Sequence, residues 1–290
     1  MGMTMASDKT IALLNFLAQP GIGPGRVRKM YSSNAFDFGG RNEIDEIFLA
    51  SYDAATLNYT SDILEKCAKH FISVLSIFDE DYPKFLKEIS DYPPVIYAKG
   101  NTKDLNARCY AVVGTRHASD YGRKIAYRIS AKLCEMGNTV VSGLALGIDT
   151  EAHKGALSAH GKTIAILAHG LDTIAPPSNK KLAEEILETG GALISEHPPG
   201  TPPRPPEFAK RNRIQSGMSI GSIVIESGVP GGAIIQAQFT FKQHRKLFAI
   251  LPDEEYPASM EMNFEGANHM IKNFNAIGVR RWDELIEYVK

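Results

Sequence analysis

Apolar positions fall into short unbroken runs separated by longer stretches in which they recur every three or four residues. Tyr110 to Val113 is one such run, closed by Gly114, and it predicts a strand covered on both faces. Ser119 or Asp120 caps the stretch that follows. There Ile125, Ile129, Leu133 and Met136 keep helical spacing until Gly137 ends the pattern. Asn138 to Ser142 is the next strand, and Gly143 opens the next turn. The alternation continues, predicting strands at 110–115, 138–143, 162–168, 191–196, 222–227 and 246–251. Helices are predicted near 120–136, 149–159, 179–189, 206–218 and 231–243. Strands joined through helices pair in parallel by right-handed crossovers, which puts helices on both faces. The pattern predicts an α/β fold: a doubly wound, mainly parallel sheet.

Upstream the period is helical. Ile11, Leu13, Leu14 and Leu17 mark a short helix, followed by the turn Pro20-Gly-Ile-Gly-Pro24 and a second helix. Two further amphipathic helices run through Ile44, Ile47 and Phe48, then through Ile63, Cys67 and Phe71. Residues 1–70 therefore read as a small helical domain and residues 71–290 as the larger one. The larger domain begins with strands over Ile72 to Phe78 and before Gly100. The glycines of the 20–24 turn either offer amides to a nucleic-acid phosphate or only turn a helix corner. Pro198 to Pro206 predicts a stiff extended loop, because helical patterning resumes at Glu207. The chain ends on a helix from Trp282.

Composition adds limits. The 290 residues are 43% hydrophobic, enough for a real core. A net charge of −1 excludes a uniformly basic nucleic-acid binder and leaves only local patches. Cys67, Cys109 and Cys134 are an odd, scattered set, read as reduced thiols of a cytosolic protein rather than a disulfide or metal framework. No apolar run approaches the ~18 residues of a membrane span, and the N-terminus lacks a signal pattern. The reading is a cytoplasmic protein with no membrane partner.

Candidate chemistry gathers in the loops after the strands, where open α/β sheets bind ligands. These loops carry Gly114, Thr115 and Arg116; then Gly143, Gly147 and Asp149; then His169, Gly170 and Asp172; then Glu196 and His197; then Ser227, Gly228, Gly231 and Gly232. Glycine turns that open helices present free amides and the positive helix end, which suits an anion, and Arg116 adds a planar phosphate donor. In any single loop the glycines need only permit a turn; several converging loops predict a phosphate pocket. A dinucleotide fingerprint would place a second glycine where Arg116 stands, and no Gly-x-x-x-x-Gly-Lys loop exists, so neither NAD nor ATP is supported as a cofactor. Lys210, Arg211 and Arg213, with Asn212 between, form the densest basic run; it either follows a phosphodiester backbone or is a solvated helix face. Asp149 and His153 share a helix face and are expected to pair or cap. Glu196 and Glu226 are expected to end adjacent strands as a possible acid pair. Ser142 and Ser227 lie near glycines but outside any Gly-x-Ser-x-Gly elbow. No catalytic set and no metal site emerges.

The ordered motifs Gly114-Thr-Arg-x-x-Ser-x-Tyr-Gly122, Val141-Ser-Gly-Leu-Ala-x-Gly-Ile-Asp149 with Ala152-His153, and Gly170-Leu-Asp172 fit one family. So do Ser195-Glu196, Phe208 with Arg211-Asn-Arg-Ile214, and Gly266-Ala-Asn268. Over about residues 75 to 275 the chain closely resembles the DprA/Smf family, DNA-processing proteins of natural transformation. The resemblance implies an extended Rossmann-like domain behind a helix-hairpin-helix or SAM-like helical domain. It implies no catalysis and no cofactor, binding of single-stranded DNA, a homodimer, protection of incoming strands and their delivery to the RecA recombinase. Carried over, Arg116, Lys210, Arg211 and Arg213 contact DNA phosphates. Gly114, Thr115, Ser142, Gly143, Gly147, Gly170 and Asn212 complete the site. Two departures bear on that pocket: Gly231-Gly-Ala-Ile-Ile-Gln-Ala237 stands where the family has a hydroxyl-rich motif, and Ala168-His169 replaces the usual glycine before Gly170. The winged helix of many members is expected to be missing after Trp282 to Lys290. A different function on the same pocket is a small-nucleotide sensor or nucleotide-processing enzyme.

Overall fold

The structure is a computed structural model and describes residues 6–33 and 53–290. Helix α1 (Asp8–Ala18) starts at Ser7, whose hydroxyl accepts the amide of Thr10; α2 is Pro24–Ser32 and α3 is Ala54–Lys69, capped by Asp53. The helix expected through Ile44, Ile47 and Phe48 lies outside the described residues. Strand β1 (Ile72–Ser76), the short α4 (Lys84–Lys87) and β2 (Val95–Gly100) follow. Phe71, expected on the buried face of the preceding helix, is instead 74% exposed at φ 55°, because α3 ends at Lys69 and the chain reverses there into β1.

The alternating region is β3 (Cys109–Val113), α5 (Asp120–Glu135), β4 (Thr139–Ser142), α6 (Ile148–Ser158), β5 (Thr163–Leu167), α7 (Lys180–Glu188) and β6 (Ala192–Ser195). It continues as α8 (Pro205–Gly217), β7 (Gly221–Val224), α9 (Gly232–Lys242) and β8 (Lys246–Ile250). Helix α10 (Glu265–Phe274), β9 (Ile277–Val279) and α11 (Trp282–Val289) close the chain. Helix α10 and strand β9 add a parallel strand beyond those expected, at the far edge next to β8.

Nine strands form one sheet in the order β1-β2-β6-β5-β4-β3-β7-β8-β9. The pairs β1–β2 and β2–β6 are antiparallel and the rest are parallel, so the fold is the expected α/β, mainly parallel sheet with an antiparallel edge. Period-2 alternation divides the core between the faces. Tyr110 and Val112 pack with Ile129, Leu133 and Leu285 under α5 and α11, whereas Val113 packs with Val224, Ala237 and Met270 under α9 and α10. The N-terminal helices share a cluster with the antiparallel edge, Leu13, Phe16 and Ile63 meeting Val74 and Ile96. Thr10 ties α1 there, its hydroxyl donating to Asp79 at 2.6 Å.

From β3 the chain winds outward through β4, β5 and β6, then returns to place β7 on the other side of β3. The loops leaving β3 and β7 therefore diverge to opposite faces and open a crevice between them. This order also corrects the acid pair. Three strands separate β6 from β7, so Glu196 and Glu226 are not neighbours.

Candidate nucleic-acid interface

The crevice is a cleft of about 590 Å³. One wall is Gly114, Thr115, Arg116 and His117 after β3; the other is Phe208, Arg211, Asn212 and Gln215 of α8. The end is Ser227 to Ala233, leading into α9. The 11-residue α9 starts at Gly231 without a side-chain cap, so its first amides and its positive end meet the cleft. Arg116 is exposed and lies over the Phe208 ring, 5.2 Å from the centroid, which holds its guanidinium at the mouth.

Beneath the mouth the polar groups are buried. Arg211 is 5% exposed, donates to the carbonyl of Ile166, and lies flat where a side chain on Gly143 would stand. Asp149 accepts the amides of Gly143 at 3.1 Å and Ala145 at 3.4 Å. Burial raises the Asp149 carboxyl above its ordinary range against the pull of Arg211, and burial brings the Arg211 guanidinium down to about 10, still charged at neutral pH. His153 does not pair with Asp149; its Nδ1 meets the Thr163 hydroxyl at 2.7 Å. Burial, with Arg211 near, holds the imidazole neutral down to about 3. Gly147 (φ 78°) brings the α6 N-terminus against the carbonyls of Thr115 and Arg116, an approach that leaves no room for a Cβ. Ser142 is fully buried and donates to the carbonyl of Val112 at 2.7 Å. Glu226 accepts the amide and hydroxyl of Ser119 at 3.0 and 2.9 Å and the Asn263 amide at 3.1 Å, tying the start of α5 to β7.

The structure thus gathers Gly114, Thr115, Arg116, Arg211 and Asn212 around the cleft and sets Ser142, Gly143 and Gly147 beneath it. It leaves Gly170, Lys210 and Arg213 off the lining. Gly170 follows β5, two strands from β3, and packs on the 198–201 loop, its amide donating to Thr201 O at 2.9 Å. The basic run does not form one outward face, because a helix turns about 100° per residue. Arg213 points to the opposite side. There it holds Glu196 through two bonds of 2.7 and 2.6 Å and the carbonyl of Asp91 at 3.2 Å. Burial alone would raise the Glu196 carboxyl, but Arg213 holds it below its ordinary value. Lys210 is the exposed member, 3.4 Å from Glu207.

Gln215 and Gln236 were not signalled by the sequence. Both are 1% exposed on the cleft lining, and Gln215 Nε2, Gln236 Oε1 and Arg211 Nε lack partners among the described residues. Buried polar atoms without partners are unusual, and here they face a cleft. The available signal was an amide on an otherwise apolar helix within Gly231–Ala237. No disulfide joins the three cysteines. No helix among the described residues is long and apolar enough to cross a membrane.

An open α/β sheet with an arginine-bearing, amide-lined cleft at its switch point is the class of fold that takes ligands at this edge. Residues 73–290 match the family described as DNA recombination-mediator protein A, and the chain belongs to this DprA/Smf family of DNA-processing proteins. It is 39% identical to protein Smf of Escherichia coli over 224 residues, 77% of this chain and 58% of that protein. It is 38% identical to DNA processing protein DprA of Bacillus subtilis over 180 residues, 62% of this chain and 60% of that one. The chain thus spans less than two thirds of these relatives. It superposes on DNA processing protein A of Streptococcus pneumoniae with a TM-score of 0.76 and 28% identity over 98% of both chains. DNA processing protein A of Helicobacter pylori, solved for its single-stranded DNA binding mode, gives a TM-score of 0.66 at 27% identity, over 75% of this chain and 95% of that one.

Proposed function

We propose that the chain is a non-enzymatic mediator that binds single-stranded DNA in the switch-point cleft, phosphates at the mouth and a base edge toward Gln215 and Gln236. The observation carrying this reading is Arg116 fixed on Phe208 opposite the uncapped start of α9: two phosphate-suited groups facing one open cleft. The single-strand binding mode of the H. pylori relative supports it. In this reading the protein acts in the cytoplasm as a homodimer, protects incoming strands during natural transformation and hands them to RecA. The helical segment 1–70 and the sheet domain 71–290 are its two domains, the described helices packing on the antiparallel edge of the sheet. A rise in RecA ATPase on long single strands when the protein is added tests the hand-over, and sedimentation tests the dimer.

The test of the site is titration of single- and double-stranded oligonucleotides at two salt concentrations. Single strands are expected to bind with steep salt dependence, and Arg116→Glu and Lys210→Glu each to weaken binding about tenfold. Unchanged affinity in both variants overturns the reading. A second reading, a small-nucleotide sensor or enzyme, is favoured by the enclosed amides of Gln215 and Gln236. A large thermal shift with a mononucleotide and none with oligonucleotides would select it.

A further inference from the structure

A second groove, of about 340 Å³, lies on the other face of the same sheet edge, between α5 and the start of α11. Its floor is apolar: Ile129, Ile250, Val279 and Leu285, where Ile250 and Val279 end β8 and β9. Its walls are aromatic. Tyr121 stands in the first turn of α5, Tyr256 is 59% exposed, and Trp282 opens α11 with Lys132 Nζ 5.0 Å from its ring centre. Its rim is cationic. Arg128 and Lys132 project from α5 on the same stripe as Tyr121 and Ile125, and Arg280 and Arg281 face them. Arg281 pairs with Asp283 at 3.4 Å and Glu255 at 3.9 Å, and Glu284 accepts the backbone amide of Arg280 at 2.8 Å, whereas the side chains of Arg128 and Arg280 make no ion pair among the described residues. The one carboxylate on the lining, Asp253, is buried.

Aromatic walls within a cationic rim suit a nucleobase with phosphates on either side. Acidic side chains would use the rim and leave the rings idle. The groove is also close to the cleft: His117 lines the cleft and Tyr121 the groove, and four residues span at most about 14 Å. We propose that this groove is a second subsite for the same single strand. A base inserts against Tyr121, Tyr256 and Trp282, and the flanking phosphates meet Arg128 and Arg280. The assignment rests on the cleft binding single-stranded DNA.

Trp282 is the chain's single tryptophan, so the groove carries its own probe. Oligodeoxythymidylates of increasing length are titrated against the full chain, following dye anisotropy for binding and tryptophan emission for occupancy. Short strands are expected to bind without quenching, and longer ones to quench Trp282. The double variant Arg128→Glu/Arg280→Glu, at two exposed positions, abolishes the quench. It lowers long-strand affinity about tenfold and spares short strands, and the salt slope falls by about 1.4 for two lost phosphate contacts. Binding at every length without quenching overturns the subsite and leaves the cleft reading intact. No binding at all overturns both. Quenching by a polyglutamate peptide and not by DNA overturns the subsite in favour of an acidic protein partner.

Discussion

Arg211 carries its charge almost wholly buried in the wall of the cleft, and the conformation of its neighbours follows from that. Its guanidinium needs the Ile166 carbonyl, the Asp149 carboxylate and a glycine at 143 to lie against. Arg211→Ala leaves the buried Ile166 carbonyl without its donor and Asp149 with only the Gly143 and Ala145 amides, so a loss of about 1–3 kcal/mol is expected in chemical denaturation. His153 makes a second prediction, in pH. Unfolded, its imidazole takes up a proton below its ordinary 6.5; folded, it stays neutral down to about 3. Between those values the unfolded chain binds the extra proton, so His153 costs stability as pH falls, by about 1.4 kcal/mol per pH unit. His153→Asn retains a partner for Thr163 and removes that component. Below pH 6.5 its stability curve is expected to be flatter than the wild type's, and parallel curves would contradict the assignment. Neither residue announced this role in the sequence. Arg211 reads there as one of a run of surface cations, because local composition carries no information on which side of a helix faces the core.

At the scale of elements, α8 joins the two halves of the sheet edge. Its Arg211 side reaches the cleft, while its Arg213 side clamps Glu196 after β6 and the Asp91 loop before β2. Removing one partner of a buried, bidentate pair costs more than removing an exposed cation. Arg213→Ala is expected to destabilise by about 3 kcal/mol or more in chemical denaturation, and Lys210→Ala by less than about 0.5 kcal/mol. Equal losses would contradict the division of roles. The helix itself was legible from the pattern that resumes at Glu207; the structure starts it two residues earlier, at Pro205, so Pro205 and Pro206 form its first turn and not the end of the expected loop. The partners of its arginines were not, because Glu196 lies 17 residues from Arg213 and Asp91 122 residues.

For the whole molecule, the cleft exists because β7 returns beside β3, and its ligand is expected to stabilise the native state alone. A single strand at about 100 times its Kd raises stability by about 2.7 kcal/mol. At the same strand concentration Arg116→Glu, binding about tenfold more weakly, should keep only about 1.4 kcal/mol of that shift while leaving the melting temperature of the free protein unchanged, since Arg116 is exposed. A variant that melts lower without DNA would instead mark Arg116 as structural. The alternation of buried runs and amphipathic stretches by itself determined the parallel strands, their helices and the gathering of glycine turns at one sheet edge. Backbone hydrogen bonding and burial act within each segment, so these features are local. Which loops share a cleft, which cations stay in water and which amides are left without partners depend on strand order and helix rotation. Those were decided by packing between segments far apart in the chain, and the tertiary structure alone decides them.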